Sequence, residues 1–178
     1  MAKREVLREL QARLAQQLSE AKTRERRRSW LAIESGGNGF LLPLHEAGEI
    51  FSSSPCMTVP YTHPWFLGVA NLRGHLHGVV DLAQFLGLRS QPPVSAAEGG
   101  RDPRRYVTFN ASFDMNCALL VDRLAGLRNA DQLEPQPAPA DALAAFAGVR
   151  MRDANGRVWQ ELVLSALAAD ESFLKILD

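Results

Sequence analysis

The segment that most constrains the fold is residues 59–88, which read VPYTHPWFLGVANLRGHLHGVVDLAQFLGL. It contains two alternating apolar runs, 67–72 and 76–82, separated by Arg73-Gly74-His75. Alternation with a period of two is typical of β-strands, and a glycine between two such runs indicates a tight turn. The segment therefore predicts a β-hairpin.

A short helix is predicted to follow the hairpin directly. Asp81 can accept a hydrogen bond as the N-cap, and Gln84 stands three residues later, which is the spacing of a capping box. Gly87 is placed to end the helix in a left-handed conformation. The second strand should thus pass into one or two helical turns.

Most of the remaining chain is predicted to form short strands. Their expected positions are 30–34, 40–44, 106–111, 116–121, 124–127, 149–151 and 157–163. Gly36-Gly37-Asn38-Gly39 predicts a hairpin turn after the first strand, and Ala154-Asn155-Gly156 predicts a type I′ turn before the last. Many short strands of this kind favour a mainly β protein built from small barrels.

Other segments lack the alternation of strands. Three are predicted to hold no strand: 45–49, 51–55, and the region of Pro135, Pro137 and Pro139. Residues 89–105, which are rich in proline, glycine and small polar residues, predict an exposed loop. Helices are predicted at 141–146 and 165–177.

The chain carries 20 Lys/Arg and 20 Asp/Glu, but these charges are unevenly distributed. Residues 1–28 contain nine Lys/Arg and four Asp/Glu, whereas the remainder contains eleven and sixteen. Leucines recur in the basic segment at helical spacing and predict an amphipathic helical extension; they are Leu7, Leu10, Leu14 and Leu18. This extension either packs on the body of its own chain, residues 29–178, or binds a partner.

The two cysteines, Cys56 and Cys117, are too few and too far apart to suggest a disulfide framework. The N-terminus is charged from Lys3 onward, and no stretch approaches the ~18 apolar residues of a spanning helix. We therefore expect a cytoplasmic protein without direct membrane insertion. The acidic body also argues against nucleic acid as a partner, because phosphate binding needs a clustered basic surface.

Candidate chemistry is sparse in this sequence. His75 and His77 lie two residues apart and could bind a metal together with His63 or Cys56, but no HExxH or paired C-x-x-C motif accompanies them. No nucleophile motif is present. Glu46 and Glu49 are three residues apart and could form a carboxylate pair, but both are expected to be solvated or paired with an arginine. We expect no metal, no cofactor and no enzymatic activity.

A specific resemblance rests on three phrases at a fixed spacing: Pro64-Trp65-Phe66, then Gly68-Val69-Ala70-Asn71-Leu72-Arg73-Gly74, then Val79-Val80-Asp81-Leu82. Together they resemble the signature of the CheW-like family, the coupling proteins of bacterial chemosensory arrays. Leu41-Leu42-Pro43-Leu44, Ala47-Gly48-Glu49-Ile50 and the charged N-terminal extension look most similar to the PilI type. That type serves twitching motility and type IV pili.

The resemblance implies a particular fold. It predicts two five-stranded SH3-like β-barrels around a shared hydrophobic core, with short helices and the N-terminal helical extension. A faint internal repeat agrees with a pair of subdomains, because the pattern of residues 42–48 is answered at 119–125.

The resemblance also implies function and partners. It predicts a non-catalytic adaptor that couples the cytoplasmic tip of a methyl-accepting chemoreceptor to the regulatory domain of a CheA-type histidine kinase, in the cytoplasm at membrane receptor arrays. Matched by position, the kinase-binding residues are Ala47, Glu49, Ile50, Gly68 and Arg73. The receptor-binding residues, in early strands of the second barrel, are Leu119, Leu120 and Val121. Ala47 is smaller than the aliphatic residue usual in flagellar relatives.

Three alternatives stay open at this point. The chain could serve a flagellar chemotaxis system in place of the pilus system. A small-ligand or metal-binding β-barrel sensor would use a cavity between the barrels and the histidines, and a ligand that raises thermal stability would favour it. A nucleic-acid-binding barrel would use the arginine-rich extension and would bind with steep salt dependence.

Overall fold

The computed structural model describes residue 13 and residues 29–91, 102–137 and 144–177. The strands in this part of the chain are β1 (Ser29–Ser35), β2 (Asn38–Pro43), β3 (Ala47–Ser52), β4 (Phe66–Leu72), β5 (His75–Asp81), β6 (Arg105–Phe109), β7 (Cys117–Val121), β8 (Arg123–Asn129), β9 (Leu133–Gln136), β10 (Ala147–Asp153) and β11 (Val158–Leu162). The α-helices are α1 (Leu82–Phe85), α2 (Leu164–Ala168) and α3 (Glu171–Leu174). The mainly β prediction is confirmed.

The strands form two mixed sheets. The first has six strands in the order β8-β1-β2-β11-β10-β9, and the second has five in the order β3-β6-β7-β5-β4. The predicted pair of subdomains is therefore present, but one sheet has six strands where five were expected. In the described residues both sheets are open, with β8 and β9 as the edges of the first and β3 and β4 as the edges of the second.

The chain passes between the two sheets in an interleaved order. It begins in the six-stranded sheet with β1 and β2, crosses to build the five-stranded sheet from β3 to β7, and returns with β8 to β11. Parallel pairing of β5 with β7 and of β2 with β11 makes this possible. Residues 119–121, predicted in a different barrel from Ala47 and Gly68, lie in the same five-stranded sheet as these residues, because β7 pairs with β5 and β6.

Three apolar clusters hold the fold together. The largest lies between the sheets and takes buried side chains from both, among them Ile33, Leu82, Leu119 and Leu162. A second cluster centred on Trp159 belongs to the six-stranded sheet, and a third around Tyr106, Val79 and Leu120 belongs to the five-stranded sheet. The expectation of a shared core is confirmed.

β1, β2 and β7 are buried on both faces. In β1, Leu31 and Ile33 point into the shared core, whereas Trp30 and Ala32 point into the cluster of their own sheet. A strand covered on both sides needs apolar residues at every position, and this explains the continuous apolar runs of β1, β2 and β7.

The central hairpin and its helix follow the prediction closely. β4 pairs with β5 from Phe66 opposite Val80 to Leu72 opposite His75. The Asp81 carboxylate accepts a hydrogen bond from the Gln84 backbone N–H, and Gly87 has a φ of +69°. The capping box is only half formed, because the Gln84 amide donates to the Ser90 carbonyl and not back to Asp81.

Two predicted irregular segments are strands. β3 covers part of the predicted irregular segments 45–49 and 51–55. Because it lies at a sheet edge and most of its side chains are exposed, its sequence shows no apolar alternation. β9 contains Pro135, which a sheet tolerates because β9 is also an edge strand and has one side free of ladder hydrogen bonds. Both predictions were wrong because edge strands carry weak patterns.

Further corrections concern turns and the C-terminus. The β10–β11 turn is not type I′, since Gly156 has a positive φ but Asn155 does not. The Asp153 carboxylate accepts hydrogen bonds from the backbone of Asn155 and Arg157 and shapes this turn instead. The single predicted helix at 165–177 is two helices, α2 and α3, because Asp170 starts a new helix as an N-cap.

Several predicted features lie outside the described residues. They include almost all of the N-terminal extension, where Arg13 is helical and exposed, and the middle of the predicted 89–105 loop. Residues 141–143 of the predicted 141–146 helix also lie outside, and residues 144–146 form a turn and not a helix. Within the described part, no helix combines the length and apolar character needed to cross a membrane.

Candidate functional site

The turn between β4 and β5 presents Arg73 to solvent. Arg73 and Gly74 have φ angles of +51° and +89°, as the two central residues of a type I′ turn require. The Asn71 side-chain oxygen accepts a hydrogen bond of 2.8 Å from the Gly74 N–H and fixes the turn. The Arg73 side chain is 74% exposed, so the turn holds a non-glycine residue in the left-handed region and displays its guanidinium.

Arg73 connects the two edges of the five-stranded sheet. Its guanidinium forms an ion pair with Glu49 of β3 and lies 5.5 Å from the centroid of the Phe51 ring. β3 and β4 are opposite edges of the sheet, so the sheet must curl to bring these residues together. The expected pairing of Glu49 with an arginine is present.

The remaining predicted kinase-facing residues fall into two groups. Ile50 is 43% exposed and follows Glu49 in the edge strand β3; we call the exposed Glu49–Arg73 ion pair together with Ile50 the Arg73 surface. Ala47 is buried in the shared core opposite Phe109, and its side chain reaches no surface.

Gly68 is buried and serves the backbone. Its φ is +123°, and a Cβ at this position would lie 2.1 Å from the Met57 carbonyl oxygen. Met57 and Val69 exchange two backbone hydrogen bonds of 2.8 Å directly beside it. Glycine is therefore required at position 68 for the close approach of this segment to β4.

Leu119, Leu120 and Val121 lie in β7, in the interior of the five-stranded sheet. Their exposed fractions are 0%, 3% and 0%. Leu119 and Val121 point into the shared core and Leu120 into the cluster of its own sheet. Their side chains present no surface to a receptor in this structure.

A buried ionic network that the sequence did not predict lies where β7 ends. Arg89 donates to both carboxylate oxygens of Asp81, at 2.6 and 3.1 Å, and to Asp122 at 2.7 Å. Asp122 also accepts from the Gly36 N–H in the β1–β2 turn, so the network links the two sheets. Burial opposes the charge on Arg89, but the hydrogen bonds to Asp81 and Asp122 outweigh it and raise the pKa of the guanidinium.

Glu46 forms a second link between distant parts of the chain. Its carboxylate accepts hydrogen bonds from the backbone N–H groups of Leu164 and Ser165 and from the Ser165 hydroxyl. A buried carboxylate at the first turn of α2 satisfies N–H groups that have no partner within the helix. The prediction that Glu46 is solvated or paired with an arginine is therefore wrong, because its buried carboxylate binds the start of α2, a role that only the tertiary structure shows.

The residues considered for chemistry are spread over different surroundings. His77 contacts the backbone oxygen of His75 at 3.1 Å, while His63 stacks on Trp65 with ring centroids 5.4 Å apart. Across the described ranges, no cluster of three or more His, Cys, Asp or Glu side chains could hold a metal ion.

Cys56 lies 3.2 Å from the Tyr106 hydroxyl. The pKa of Tyr106 is raised to about 12, chiefly by burial and to a smaller extent by the contact with Cys56. The phenol therefore stays protonated near neutral pH and cannot serve as a base for the thiol. Burial likewise raises the pKa of the Cys117 thiol to about 12, which keeps it unreactive.

The fold and the Arg73 surface fit one class of protein. The CheW-like domain family matches residues 29–172, and the chain belongs to this family. It is 31% identical to Protein PilI of Pseudomonas aeruginosa over 154 residues, which cover 83% of this chain and 80% of PilI.

Two further comparisons agree with this assignment. A probable chemotaxis protein CheW of Rhizobium etli is 27% identical over 113 residues, covering 63% of this chain and 67% of that protein. The crystal structure of the scaffolding protein TtCheW from Thermoanaerobacter tengcongensis superposes with a TM-score of 0.58 at 17% identity, covering 76% and 88% of the two chains. The CheW-like fold is thereby supported by sequence and by structure.

Proposed function

We propose that this protein is a non-catalytic chemosensory adaptor that couples a methyl-accepting chemoreceptor to a CheA-type histidine kinase in the cytoplasm. Membership of the CheW-like family supports the adaptor role, and the similarity to PilI favours the pathway of twitching motility and type IV pili over a flagellar one. The observation that carries the proposal is the Arg73 surface, where the Glu49–Arg73 ion pair is exposed and the neighbouring strand residue Ile50 is also exposed.

The Arg73 surface is the proposed contact with the regulatory domain of the kinase. It combines a guanidinium, a carboxylate and an exposed aliphatic side chain, and arginine is enriched among the residues that dominate binding energy. Ala47 and Gly68 belong to the same proposed site but act from beneath it. Ala47 anchors the start of β3 in the shared core opposite Phe109, and Gly68 lets the segment around Met57 approach β4 closely.

The proposed receptor contact lies beside β7. Because Leu119, Leu120 and Val121 are buried, we propose that they position the surface at the end of β7 and do not touch the receptor themselves. Asp122 and Arg123 follow directly, with side chains 32% and 63% exposed. A receptor tip would meet this polar surface where the two sheets adjoin.

Charge reversal at Arg73 tests the kinase contact. Arg73→Glu should leave the free energy of unfolding within about 0.5 kcal/mol of the parent, since the side chain is exposed. Kinase binding should weaken at least about tenfold, the scale of an interfacial arginine worth about 2 kcal/mol or more. Thermal melts and calorimetric titration with a CheA-type regulatory domain measure the two quantities.

The Glu49–Arg73 pair offers a matched control. The double variant Glu49→Arg/Arg73→Glu restores an ion pair of reversed direction, so it should regain any stability lost in the single variant but not kinase binding. Arg152→Glu, on the outer side of the six-stranded sheet, should bind the kinase normally. Normal binding by Arg73→Glu, or recovery of binding in the double variant, would show that Arg73 only holds the turn.

A further inference from the structure

A large open groove lies on the side of the molecule where β2 and β11 face the helices α1 and α3. Its volume is about 620 Å³, and much of its lining is apolar. The principal apolar contributors are Phe40, Trp65, Phe85, Leu86, Phe146 and Leu162. None of the residues assigned to the kinase or receptor contacts lines it.

Aromatic packing makes the floor of this groove rigid. The ring centroids of Trp65 and Phe85 lie 5.2 Å apart in an edge-to-face contact, and those of Phe85 and Phe146 lie 5.9 Å apart. Polar side chains also line the groove, including Gln160, Asp170 and the exposed Lys175. A preformed apolar floor with a polar rim is suited to the apolar face of an amphipathic helix.

We propose that the N-terminal segment, residues 1–28, docks in this groove of its own chain through the stripe Leu7, Leu10, Leu14 and Leu18. The stripe spans about 17 Å if residues 7–18 are helical. Leucines at three- and four-residue spacing cover one face of such a helix, while its other faces are rich in charged and glutamine residues.

The length of the connection permits docking within one chain. β1 begins at Ser29, and Ile33 lies four residues further along this strand, about 13 Å from Ser29. Phe40, which lines the groove, lies opposite Ile33 on β2. The arginine-rich linker of residues 24–28 can span up to about 17 Å. The stripe can therefore reach the groove without disturbing β1.

Charge also favours association of the segment with the body. The segment has nine Lys/Arg against four Asp/Glu, and the body has eleven against sixteen. Opposite net charges attract at long range. The short tether adds to this by keeping the stripe at a high effective concentration near the groove.

The test measures access to the groove in the full-length chain. Ala145 is an exposed groove residue, and Ala145→Cys in a Cys56→Ser background places one reactive thiol there, since Cys117 is buried. The labelling rate of this thiol by a maleimide is compared in three chains: the parent, Leu10→Glu/Leu14→Glu, and Gln16→Glu. Gln16 is about 200° from Leu14 around the helix, on the face opposite the stripe.

We expect Leu10→Glu/Leu14→Glu to raise the labelling rate about tenfold if the groove is open about one tenth of the time in the parent. Gln16→Glu should label like the parent, and the parent rate should be independent of protein concentration.

Equal labelling rates in all three chains would overturn the proposal. Protection that grows with protein concentration would also overturn it and assign the groove to a second copy. Neither kinase nor receptor is present, so the outcome is separate from that of the proposed function.

Discussion

Gly68 shows that a residue of the family's sequence signature can be required for the fold and not for direct contact with a partner. Gly68→Ala forces a Cβ against the Met57 carbonyl and a side chain into a φ of +123°. Strain and overpacking together should lower the free energy of unfolding by about 2 to 4 kcal/mol. Urea denaturation measures this loss.

Gly37 is the matched control for that substitution. It also has a positive φ, +80°, but a Cβ there would have no neighbour within 4 Å. Gly37→Ala should therefore cost only about 1 to 2 kcal/mol, the backbone penalty alone. Equal losses at the two positions would mean that the contact with Met57 is unimportant.

At the residue scale, the sequence predicted which face of a strand a side chain occupies better than it predicted which residue that side chain contacts. The alternation of β4 correctly places Asn71 on the exposed face, opposite the buried Ala70 and Leu72, whereas Arg73 lies beyond the strand in the turn. The partner of Arg73 could not be predicted, because Glu49 lies on the far edge of a curled sheet. Asp81, whose role as the N-cap of α1 was predicted, also pairs with Arg89, and the sequence did not reveal this partner either.

At the element scale, the network around Arg89 ties the end of β5, the end of β7 and the β1–β2 turn together. The Asp81 side chain is fully buried, so removal of its arginine leaves an unpaired buried carboxylate. Arg89→Met should lower the free energy of unfolding by about 3 kcal/mol. Chemical denaturation of this variant and the parent checks the value.

A second substitution separates charge from packing at this network. In Asp81→Asn/Arg89→Met the buried charge is gone, and asparagine still caps α1, so much of the lost stability should return. Arg123→Met, which removes an exposed arginine paired with Glu34, should be much milder than Arg89→Met. A double variant as unstable as Arg89→Met alone would contradict the ionic explanation.

Elements with a buried face were predicted well, and edge elements were not. β1, β2, β4 and β5 were identified because burial imposes an apolar pattern on the sequence. β3 and β9 were missed because one side of each is free and the pattern is weak. The Arg73 surface includes β3, so its geometry depended on an element that the sequence did not reveal.

At the scale of the whole molecule, local patterns do not determine which sheet a strand joins. The internal repeat suggested two halves in sequence, yet β1 and β2 pair with strands from the end of the chain. Such pairings depend on contacts between residues more than eighty positions apart, which leave no mark on local periodicity. The six-stranded sheet therefore combines an early and a late part of the chain, and the five-stranded sheet is built from the continuous part between them.

This interleaving predicts that the two sheets unfold together. Both contribute to the shared core, and the chain crosses between them twice.

Leu120→Ala, in the cluster of the five-stranded sheet, should lower the free energy of unfolding by about 2 to 5 kcal/mol. Tryptophan fluorescence reports on other regions, since Trp30 and Trp159 lie in the six-stranded cluster and Trp65 packs on the shared core. In a single cooperative transition, the denaturant midpoints from fluorescence and from far-UV circular dichroism should shift equally. If the fluorescence midpoint stays at the parent value while the dichroism becomes biphasic, the sheets are independent units and the shared core does not couple them.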